Sequence, residues 1–311
     1  MLSVKHLIDT YSLTADDITQ ILDTAASFES VNNRAIKKVP ALRGRTIVNL
    51  FLEPSTRTKS SFELAEKRLS ADSLSMGGST SSVVKGESLA DTIQTISAMN
   101  VDMFVCRAKL AGTPQRITEN TDAVVINAGD GKHQHPTQAM LDLYTIRKNF
   151  GHLDGLKVAI VGDLAHSRVC GSLAPALKTM GAEVTLVGPP PFQVDDPDWF
   201  GCPQTASLDD VIEDMDVVYM LRVQLERMEG AAIPSRREYN RLYGLDMTRV
   251  NRMKPGAIIC HPGPMNRGME INADVADCAR SRILNQVNAG VLTRMAEMYL
   301  LLGGENNGLS A

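Results

Sequence analysis

The sequence lacks the features that mark membrane and secreted proteins. No apolar run approaches the roughly 18 residues that a membrane-spanning helix needs. The opening segment, MLSVKHLIDTYSL, contains Asp9 and has too short an apolar stretch for a secretory signal peptide. The five cysteines are odd in number and include no C-x-x-C pair, which argues against a disulfide framework and against structural zinc. We therefore expect a globular protein of the reducing cytoplasm.

Strong charge of either sign is also missing. The 32 Lys and Arg residues and the 36 Asp and Glu residues leave a formal net charge of −4 at pH 7. Proteins that coat nucleic acid or anionic membranes normally present a basic surface, so neither class of partner is expected. An apolar fraction of 43% and a charged fraction of 22% are typical of a globular protein. The 311 residues correspond to two domains at about 150 residues each.

The sequence also lacks a nucleotide-binding loop. After the apolar run VAIVGD a dinucleotide-binding turn would need further glycines, but Gly162 is followed by DLAHS. The chain contains no Walker sequence either. These absences exclude NAD and ATP, and we expect no cofactor.

Short β-branched runs alternate with amphipathic stretches along the chain. Thr14 and Asp17 have the spacing of a capping box that opens a helix. Strands are predicted at 46–51, 102–106, 123–128, 157–163, 183–188, 216–221 and 257–262. Further helices are predicted at 55–69, 88–99, 136–150, 167–180, 207–215 and 289–302. This alternation predicts an α/β protein with parallel sheets flanked by helices, and the polar break Gly151–Gly155 divides it into two halves of similar size.

Ser55-Thr56-Arg57-Thr58 stands where a predicted strand passes into a helix. Hydroxyls and a guanidinium at the positive end of a helix form an anion site, and Arg57 can grip a phosphate with two hydrogen bonds. The alternative is a Ser or Thr N-cap beside a surface arginine. The density of Ser, Thr and Arg in one strand–helix corner favours the phosphate interpretation.

The segment 77–87, GGSTSSVVKGE, is rich in glycine and serine and carries Lys85 as a cation. This composition is typical of a solvated surface loop. The alternative is a lid that brings Lys85 to an acidic ligand. Composition alone favours the surface loop.

The segment 127–138, NAGDGKHQHPTQ, leads from a strand into a helix whose first turn suits Pro136. His135 and Gln138 are three residues apart, so both can face one point at the helix entrance. There they suit polarising a carbonyl and holding its amide nitrogen. A zinc site on His133 and His135 is a rival, but no carboxylate or third histidine stands at helical spacing beside them, so we expect no metal. A histidine that caps its own turn is the structural alternative.

Arginines follow predicted strands in both halves of the chain: Arg107, Arg168 and Arg222, the last with Gln224 two residues on. The carboxyl ends of parallel strands face the ligand crevice, and two planar guanidinium groups suit a dicarboxylate. A solvated surface arginine is the alternative for each one alone. His261-Pro262-Gly263-Pro264 also follows a strand, as a stiff turn whose backbone carbonyls could face a ligand.

The ordered set Ser55-Thr56-Arg57-Thr58, His135-Pro136-Thr137-Gln138 and His261-Pro262-Gly263-Pro264 resembles the aspartate/ornithine carbamoyltransferase family over nearly the whole chain. The resemblance implies two α/β domains with a ligand cleft between them. The carbamoyl phosphate-binding domain would be 1–150, with the last helix, 289–311, packed back on it, and the aspartate-binding domain would be 151–288.

The same resemblance implies transfer of the carbamoyl group of carbamoyl phosphate to the α-amine of L-aspartate. The products would be N-carbamoyl-L-aspartate and phosphate, at an early step of de novo pyrimidine biosynthesis. A homotrimer is implied as well, alone or in a larger assembly with regulatory chains or another pyrimidine enzyme.

Roles for single residues also follow from the resemblance. The phosphate would be bound by Ser55, Thr56, Arg57 and Thr58. The carbamoyl group would be addressed by Arg107, His135 and Gln138, with main-chain contacts from Gly263 and Pro264, and its oxyanion stabilised by Thr58, Arg107 and His135. Aspartate would be held by Arg168, Arg222, Gln224 and Lys85, and Ser81 and Lys85 would come from a neighbouring subunit. Catalysis would rest on Arg57, Thr58, Arg107 and His135.

Three alternatives stay open on these residues. An ornithine carbamoyltransferase would share the phosphate half, but Lys85 with Arg168 and Arg222 favours a diacid over a substrate that brings a cation. A non-catalytic two-domain anion-binding protein is the second alternative. A metal hydrolase built on His133 and His135 is the third.

Overall fold

The computed structural model describes residues 2–32, 34–77, 88–196, 199–224 and 235–304. The chain packs into two compact units. The first comprises Met1–Tyr144 and Asn288–Ala311, and the second comprises Thr145–Val287. Each contains one parallel sheet together with helices, so the predicted α/β class with two parallel sheets is confirmed.

A four-stranded parallel sheet forms the centre of the first unit. Its strands are β1 (Thr46–Phe51), β2 (Asp72–Gly77), β3 (Met103–Ala108) and β4 (Val124–Asp130), in the order β2-β1-β3-β4. Its helices are α1 (Ala15–Ser27), α2 (Glu29–Asn32), α3 (Thr56–Leu69), α4 (Leu89–Ser97), α5 (Thr113–Thr118) and most of α6 (Pro136–Phe150). Strands β1, β3 and β4 are almost wholly buried, as expected for a parallel sheet covered on both faces.

Parallel pairing fixes which residues stand side by side at the carboxyl edge of this sheet. Phe51, at the end of β1, pairs with Arg107, and Ala108 pairs with Asp130 at the end of β4. Adjacent strands are about 4.8 Å apart. The segments that leave β1, β3 and β4 therefore start close together.

A five-stranded parallel sheet forms the centre of the second unit, in the order β7-β6-β5-β8-β9. Its strands are β5 (Lys157–Val161), β6 (Glu183–Val187), β7 (Gln204–Thr205), β8 (Val217–Met220) and β9 (Ile258–Cys260). The helices are α7 (Arg168–Thr179), α8 (Arg236–Tyr243), α9 (Met247–Arg252), α10 (Ala273–Ala276) and the start of α11 (Ile283–Leu301). Among the described residues, no helix is both long enough and apolar enough to cross a membrane.

Most predicted elements are present. The capping box is confirmed, because the Asp17 N–H donates to Thr14 Oγ1 at 3.1 Å and the Thr14 N–H donates to Asp17 Oδ2 at 3.0 Å. All the predicted strands form, although their ends shift by a few residues. Two strands were not predicted: β2 is polar and exposed at the sheet edge, and β7 has only two residues. Neither offers the apolar run that marks a buried strand.

The helix predicted at 207–215 is wrong, because only a short 3₁₀ turn, Ile212–Asp214, forms there. Leu208, Ile212 and Met215 are buried at helical spacing, which explains the prediction. The backbone carbonyl of Asp209 instead accepts a hydrogen bond from Arg252 Nη2 at 2.8 Å. This partner from α9 takes the place of the i to i+4 bond that a helix would use.

From Asn288 onward the last helix, α11, belongs to the first unit. It contributes a buried cation, Arg294. Arg294 Nη1 donates to Ser61 Oγ at 2.6 Å and to the Gly290 carbonyl at 3.3 Å. The guanidinium carbon also lies 4.9 Å from the centroid of the Phe62 ring, within cation–π distance. Burial lowers the pKa of Arg294 to about 10, which still leaves the side chain charged at neutral pH.

Glu297, one turn further along α11, is a fully buried acid. Neither of its carboxyl oxygens has a hydrogen-bond partner among the described residues. Desolvation raises the pKa of Glu297 well above its usual value, although attraction to Arg294 opposes the shift. Burial therefore favours the protonated, neutral form of this carboxyl.

We expect Glu297→Met to stabilise the protein. A buried polar group without a hydrogen bond costs about 1–3 kcal/mol, and methionine replaces it with an apolar chain of similar length. The gain should depend on pH. Since the folded-state pKa of Glu297 lies above the ordinary value of 4.5, the wild-type protein loses stability as the pH rises from there through the folded-state pKa.

Thermal denaturation of both proteins at pH 5 and pH 8 measures this effect, and the rise in Tm should be larger at pH 8. Glu119→Met replaces an exposed glutamate of the same unit and should leave Tm nearly unchanged at both pH values. An equal rise at the two pH values would show that Glu297 is ionised in the folded protein.

Candidate active site

The N-terminus of α3 follows directly from β1 and presents hydroxyl groups and an arginine. Ser55 is the N-cap residue, yet its hydroxyl makes no capping hydrogen bond to α3, which lies wholly within the described residues. Thr58 is buried, whereas Thr56 and Arg57 are exposed. The first backbone N–H groups of a helix have no partner within the helix. This corner therefore offers an anion several donors, and Ser55 is not the simple N-cap of the alternative interpretation.

Arg107 crosses the carboxyl edge of the first sheet. Its Nη1 donates to Thr58 Oγ1 at 3.3 Å and to the Ala128 carbonyl at 3.4 Å. Its Nη2 lies 3.4 Å from Glu53 Oε1, and both of these side chains are largely buried. From a position near the end of β3, one guanidinium thus contacts the segment that follows β1 and the backbone of β4. Sequence reasoning missed Glu53, although it stands two residues before the Ser55 motif.

The turn between β4 and α6 is organised by Asp130, a fully buried carboxylate. Its Oδ1 accepts hydrogen bonds from Asn127 Nδ2 at 2.8 Å and from the Gln134 N–H at 3.0 Å. Its Oδ2 accepts from the Gly112 N–H at 2.7 Å and lies 3.0 Å from His133 Nδ1. Asp130 thereby fixes the loop that delivers His135, a role that the Gly-Asp-Gly pattern could have suggested.

His135 and Gln138 lie together at the entrance of α6, and both are buried. The His135 carbonyl accepts the Gln138 N–H at 2.9 Å, and its ring Nδ1 lies 3.5 Å from Thr137 Oγ1. The Gln138 amide donates from Nε2 to Asp142 Oδ1 at 3.0 Å. The structure therefore brings these two predicted residues to one helix end, beside the turn that Asp130 fixes.

His133 and His135 have different environments. His133 Nδ1 bonds the Asp130 carboxylate and is partly exposed, whereas His135 is buried at the start of α6. No cluster of three or more His, Cys, Asp or Glu side chains suited to a metal ion occurs in the described part of the chain.

In the second unit, Arg168 and Arg222 follow neighbouring strands. Arg168 opens α7 after β5 and is buried, and Ser167 caps that helix by accepting the Cys170 N–H at 3.2 Å. Arg222 stands two residues after the end of β8, and its Nη1 donates to Gln224 Oε1 at 3.2 Å. Because β5 and β8 pair in parallel, both arginines leave the same edge of the sheet.

Asp163 was not selected from the sequence. Its buried Oδ1 lies 2.7 Å from His166 Nδ1 and accepts the His166 backbone N–H at 3.2 Å. The contact closes the turn between β5 and Arg168, so it determines where that arginine starts.

His261 supports the turn that contains Gly263 and Pro264. Its Nδ1 accepts the Gly263 N–H at 2.7 Å, and this leaves the proton on Nε2, which donates to Glu270 Oε1 at 3.2 Å. Gly263 has φ 59°, in the left-handed region that favours glycine. Gly263 is partly exposed and Pro264 is exposed, whereas His261 is buried and structural. Ser81 and Lys85 lie outside the described residues.

Comparison with known families covers both units. Residues 5–148 match the model of the aspartate/ornithine carbamoyltransferase carbamoyl-P binding domain. Residues 154–301 match that of the aspartate/ornithine carbamoyltransferase Asp/Orn binding domain. Together the two matches span nearly the whole chain.

Among similar proteins, the aspartate carbamoyltransferase catalytic subunit of Salinispora arenicola (strain CNS-205) is 55% identical over 306 residues, which cover 97% of this chain and 99% of that protein. Aspartate transcarbamoylase from Trypanosoma cruzi, in complex with carbamoyl aspartate and phosphate, superposes with a TM-score of 0.88 at 30% identity and 96% coverage of each chain. Ornithine carbamoyltransferase from Pyrococcus furiosus superposes with a TM-score of 0.86 at 27% identity, over 96% of this chain and 97% of that one. The chain belongs to the aspartate/ornithine carbamoyltransferase family.

Proposed function

We propose that this chain is an aspartate carbamoyltransferase. It transfers the carbamoyl group of carbamoyl phosphate to the α-amine of L-aspartate and releases N-carbamoyl-L-aspartate and phosphate, an early step of de novo pyrimidine biosynthesis. The 55% identity to a catalytic subunit of that name, over nearly the full length of both proteins, supports aspartate as the acceptor.

One observation in the structure carries the carbamoyl phosphate half of the proposal. Arg107 donates to Thr58, so its guanidinium lies directly beside the open N-terminus of α3. An acyl phosphate needs donors for its phosphate and, next to them, donors for its carbonyl oxygen. The Ser55–Thr58 segment supplies the first set, and Thr58, Arg107 and His135 supply the second.

The reaction follows from this placement of charge. The neutral α-amine of aspartate attacks the carbonyl carbon, and negative charge develops on the carbonyl oxygen. Donors fixed in advance lower the energy of that charge more than mobile water does, because they need not reorganise during the reaction. Phosphate then leaves and accepts the proton of the amine, so no side chain has to act as a base.

The second substrate is assigned from Arg168 and Arg222, with Gln224 beside Arg222. Two guanidinium groups at one sheet edge suit the two carboxylates of aspartate. Ornithine would bring an ammonium group toward the same arginines. The fold does not distinguish the two activities, since carbamoyltransferases for aspartate and for ornithine both superpose on this chain.

We further propose the organisation of the active enzyme. The carbamoyl phosphate-binding domain is 1–150 together with α11 from residue 289 onward, and the aspartate-binding domain is 151–288. Gly263 and Pro264 give main-chain contacts to the carbamoyl group. Three copies form a cytoplasmic homotrimer in which Ser81 and Lys85 of one subunit complete the site of its neighbour. Such a trimer can also enter a larger assembly with regulatory chains or another pyrimidine enzyme.

The acceptor can be tested directly with purified protein. Incubation with carbamoyl phosphate and L-aspartate should yield N-carbamoyl-L-aspartate and phosphate in equal amounts. The same incubation with L-ornithine should yield no citrulline. Formation of citrulline would contradict the assignment, and failure of any amino acid to release phosphate would favour the non-catalytic anion-binding alternative.

Arg57→Ala should reduce kcat by about 10²–10³-fold, because it removes a preorganised cation from the site. Its effect on folding should stay within about 0.5 kcal/mol, since Arg57 is exposed. Arg43→Ala is the matched control. Arg43 is an exposed arginine just before the first residue of β1, whereas Arg57 follows the last residue of that strand. Activity and denaturation measured on both variants separate the two effects. A large fall in Tm with Arg57→Ala would support a structural role instead.

Lys85→Ala tests whether sites are shared between subunits. Lys85→Ala and Arg57→Ala chains should each be inactive as pure trimers. Random mixing at equal amounts should restore about a quarter of the sites, those that combine an intact Arg57 with an intact Lys85 from the neighbour. Activity after joint refolding is the measurement. Mixed trimers without recovered activity would place Lys85 in the site of its own chain.

A further inference from the structure

Gln138 is held by an acid that the proposed reaction does not use. Its Nε2 donates to Asp142 Oδ1 at 3.0 Å, one helical turn along α6. An ionised carboxylate has acceptors only, so it can bind only the NH₂ end of the Gln138 amide. The carbonyl end, Oε1, is thereby turned to the other side. A ligand group that meets Oε1 must then be a hydrogen-bond donor.

Asp142 is fully buried. Arg294 is buried near it, and attraction to Asp142 and to Glu297 favours the charged form of that arginine. Ser61 and Gly290 hold the Arg294 guanidinium in place through Nη1. Close packing of the interior around the buried Asp142 carboxylate leaves it little freedom to move.

Glu297 does not compete with Asp142 for this role. Its carboxyl makes no hydrogen bond to any described residue, and its burial raises its pKa well above the usual value. Burial therefore favours the neutral form of the Glu297 carboxyl. Asp142, in contrast, contacts Gln138 directly.

We propose that Asp142, backed by Arg294, is a positioning residue that presents the carbonyl oxygen of Gln138 to the ligand. The pair thereby makes the site select an NH₂ group on the acyl carbon over a methyl group in the same place. This inference rests on the proposed function, because it takes the ligand to be a carbamoyl compound. It assigns the discrimination between carbamoyl and acetyl donors to residues that never touch the substrate.

Two stable phosphonates probe the selection without any turnover. Phosphonoacetamide carries the terminal NH₂, and 2-oxopropylphosphonate carries a methyl group in its place. A hydrogen bond from the NH₂ to Gln138 Oε1 should make the wild-type protein bind the amide about tenfold more tightly, which isothermal titration calorimetry measures. Replacement of Asp142 should lower the affinity for phosphonoacetamide and leave the affinity for 2-oxopropylphosphonate unchanged.

Asp142→Leu is the direct variant, and we expect its preference for the amide to fall to about twofold or less, as Gln138 loses its fixed orientation. That change leaves Arg294 buried without its acid and can prevent folding. The double variant Asp142→Leu with Arg294→Met removes both charges, keeps an apolar interior and should show the same loss. Asp142→Asn retains an acceptor oxygen and should keep most of the preference.

Glu297→Met is the matched control, since it changes the same pocket without touching Gln138, and it should keep the wild-type preference. If the Asp142 variants lose affinity for both phosphonates by the same factor, the role of Asp142 is purely structural and the inference is overturned. An unchanged preference in the double variant would overturn it as well. Failure of the wild-type protein to bind either phosphonate would instead contradict the proposed function.

Discussion

Parallel strand pairing is the constraint on which the first-unit site depends. The register places the end of β1 beside Arg107, and it places the residue after Arg107 beside Asp130. Three segments far apart in the chain therefore leave the sheet at one edge: the start of α3, the Arg107 strand end and the turn before α6. A shift of one residue in β3 would turn Arg107 to the other face of the sheet, because successive side chains alternate. The chemistry of the site is thus set by backbone hydrogen bonds before any substrate contact.

Acidic side chains bind and orient the polar groups of the site. Glu53 pairs with Arg107, Asp130 gathers the N–H groups of its own turn, and Asp142 holds the amide of Gln138. Each acid can only accept hydrogen bonds when ionised, so it decides which end of its partner faces it. Polar groups held in this way need little rearrangement when charge develops on a substrate, which is where electrostatic catalysis gains most.

The sequence predicted what depends on local pattern. Strand ends, the cap at Thr14 and the clustering of Arg and His after strands all follow from short-range spacing, and so did the choice of Arg107 and His135. The long-range partners could not be predicted, because they meet only in the folded chain: Glu53 pairs with Arg107 across 54 positions, and Arg294 bonds Ser61 across 233. The same limit explains the wrong helix at 207–215, where the apolar spacing was helical but Arg252 supplied a competing hydrogen bond. Local pattern thus predicts the groups that do the chemistry better than the groups that orient them.

The net charge of the chain does not reveal the local charge at the candidate site. A total of −4 suggests little affinity for anions. Yet Asp130 and Asp142 are fully buried and hydrogen-bonded within their own unit, so neither carboxylate is presented at the protein surface. Arg57 remains exposed at a helix N-terminus, where its charge adds to that of the helix end. An acidic chain can therefore present a cationic surface to a phosphate, because burial decides which charges a ligand meets.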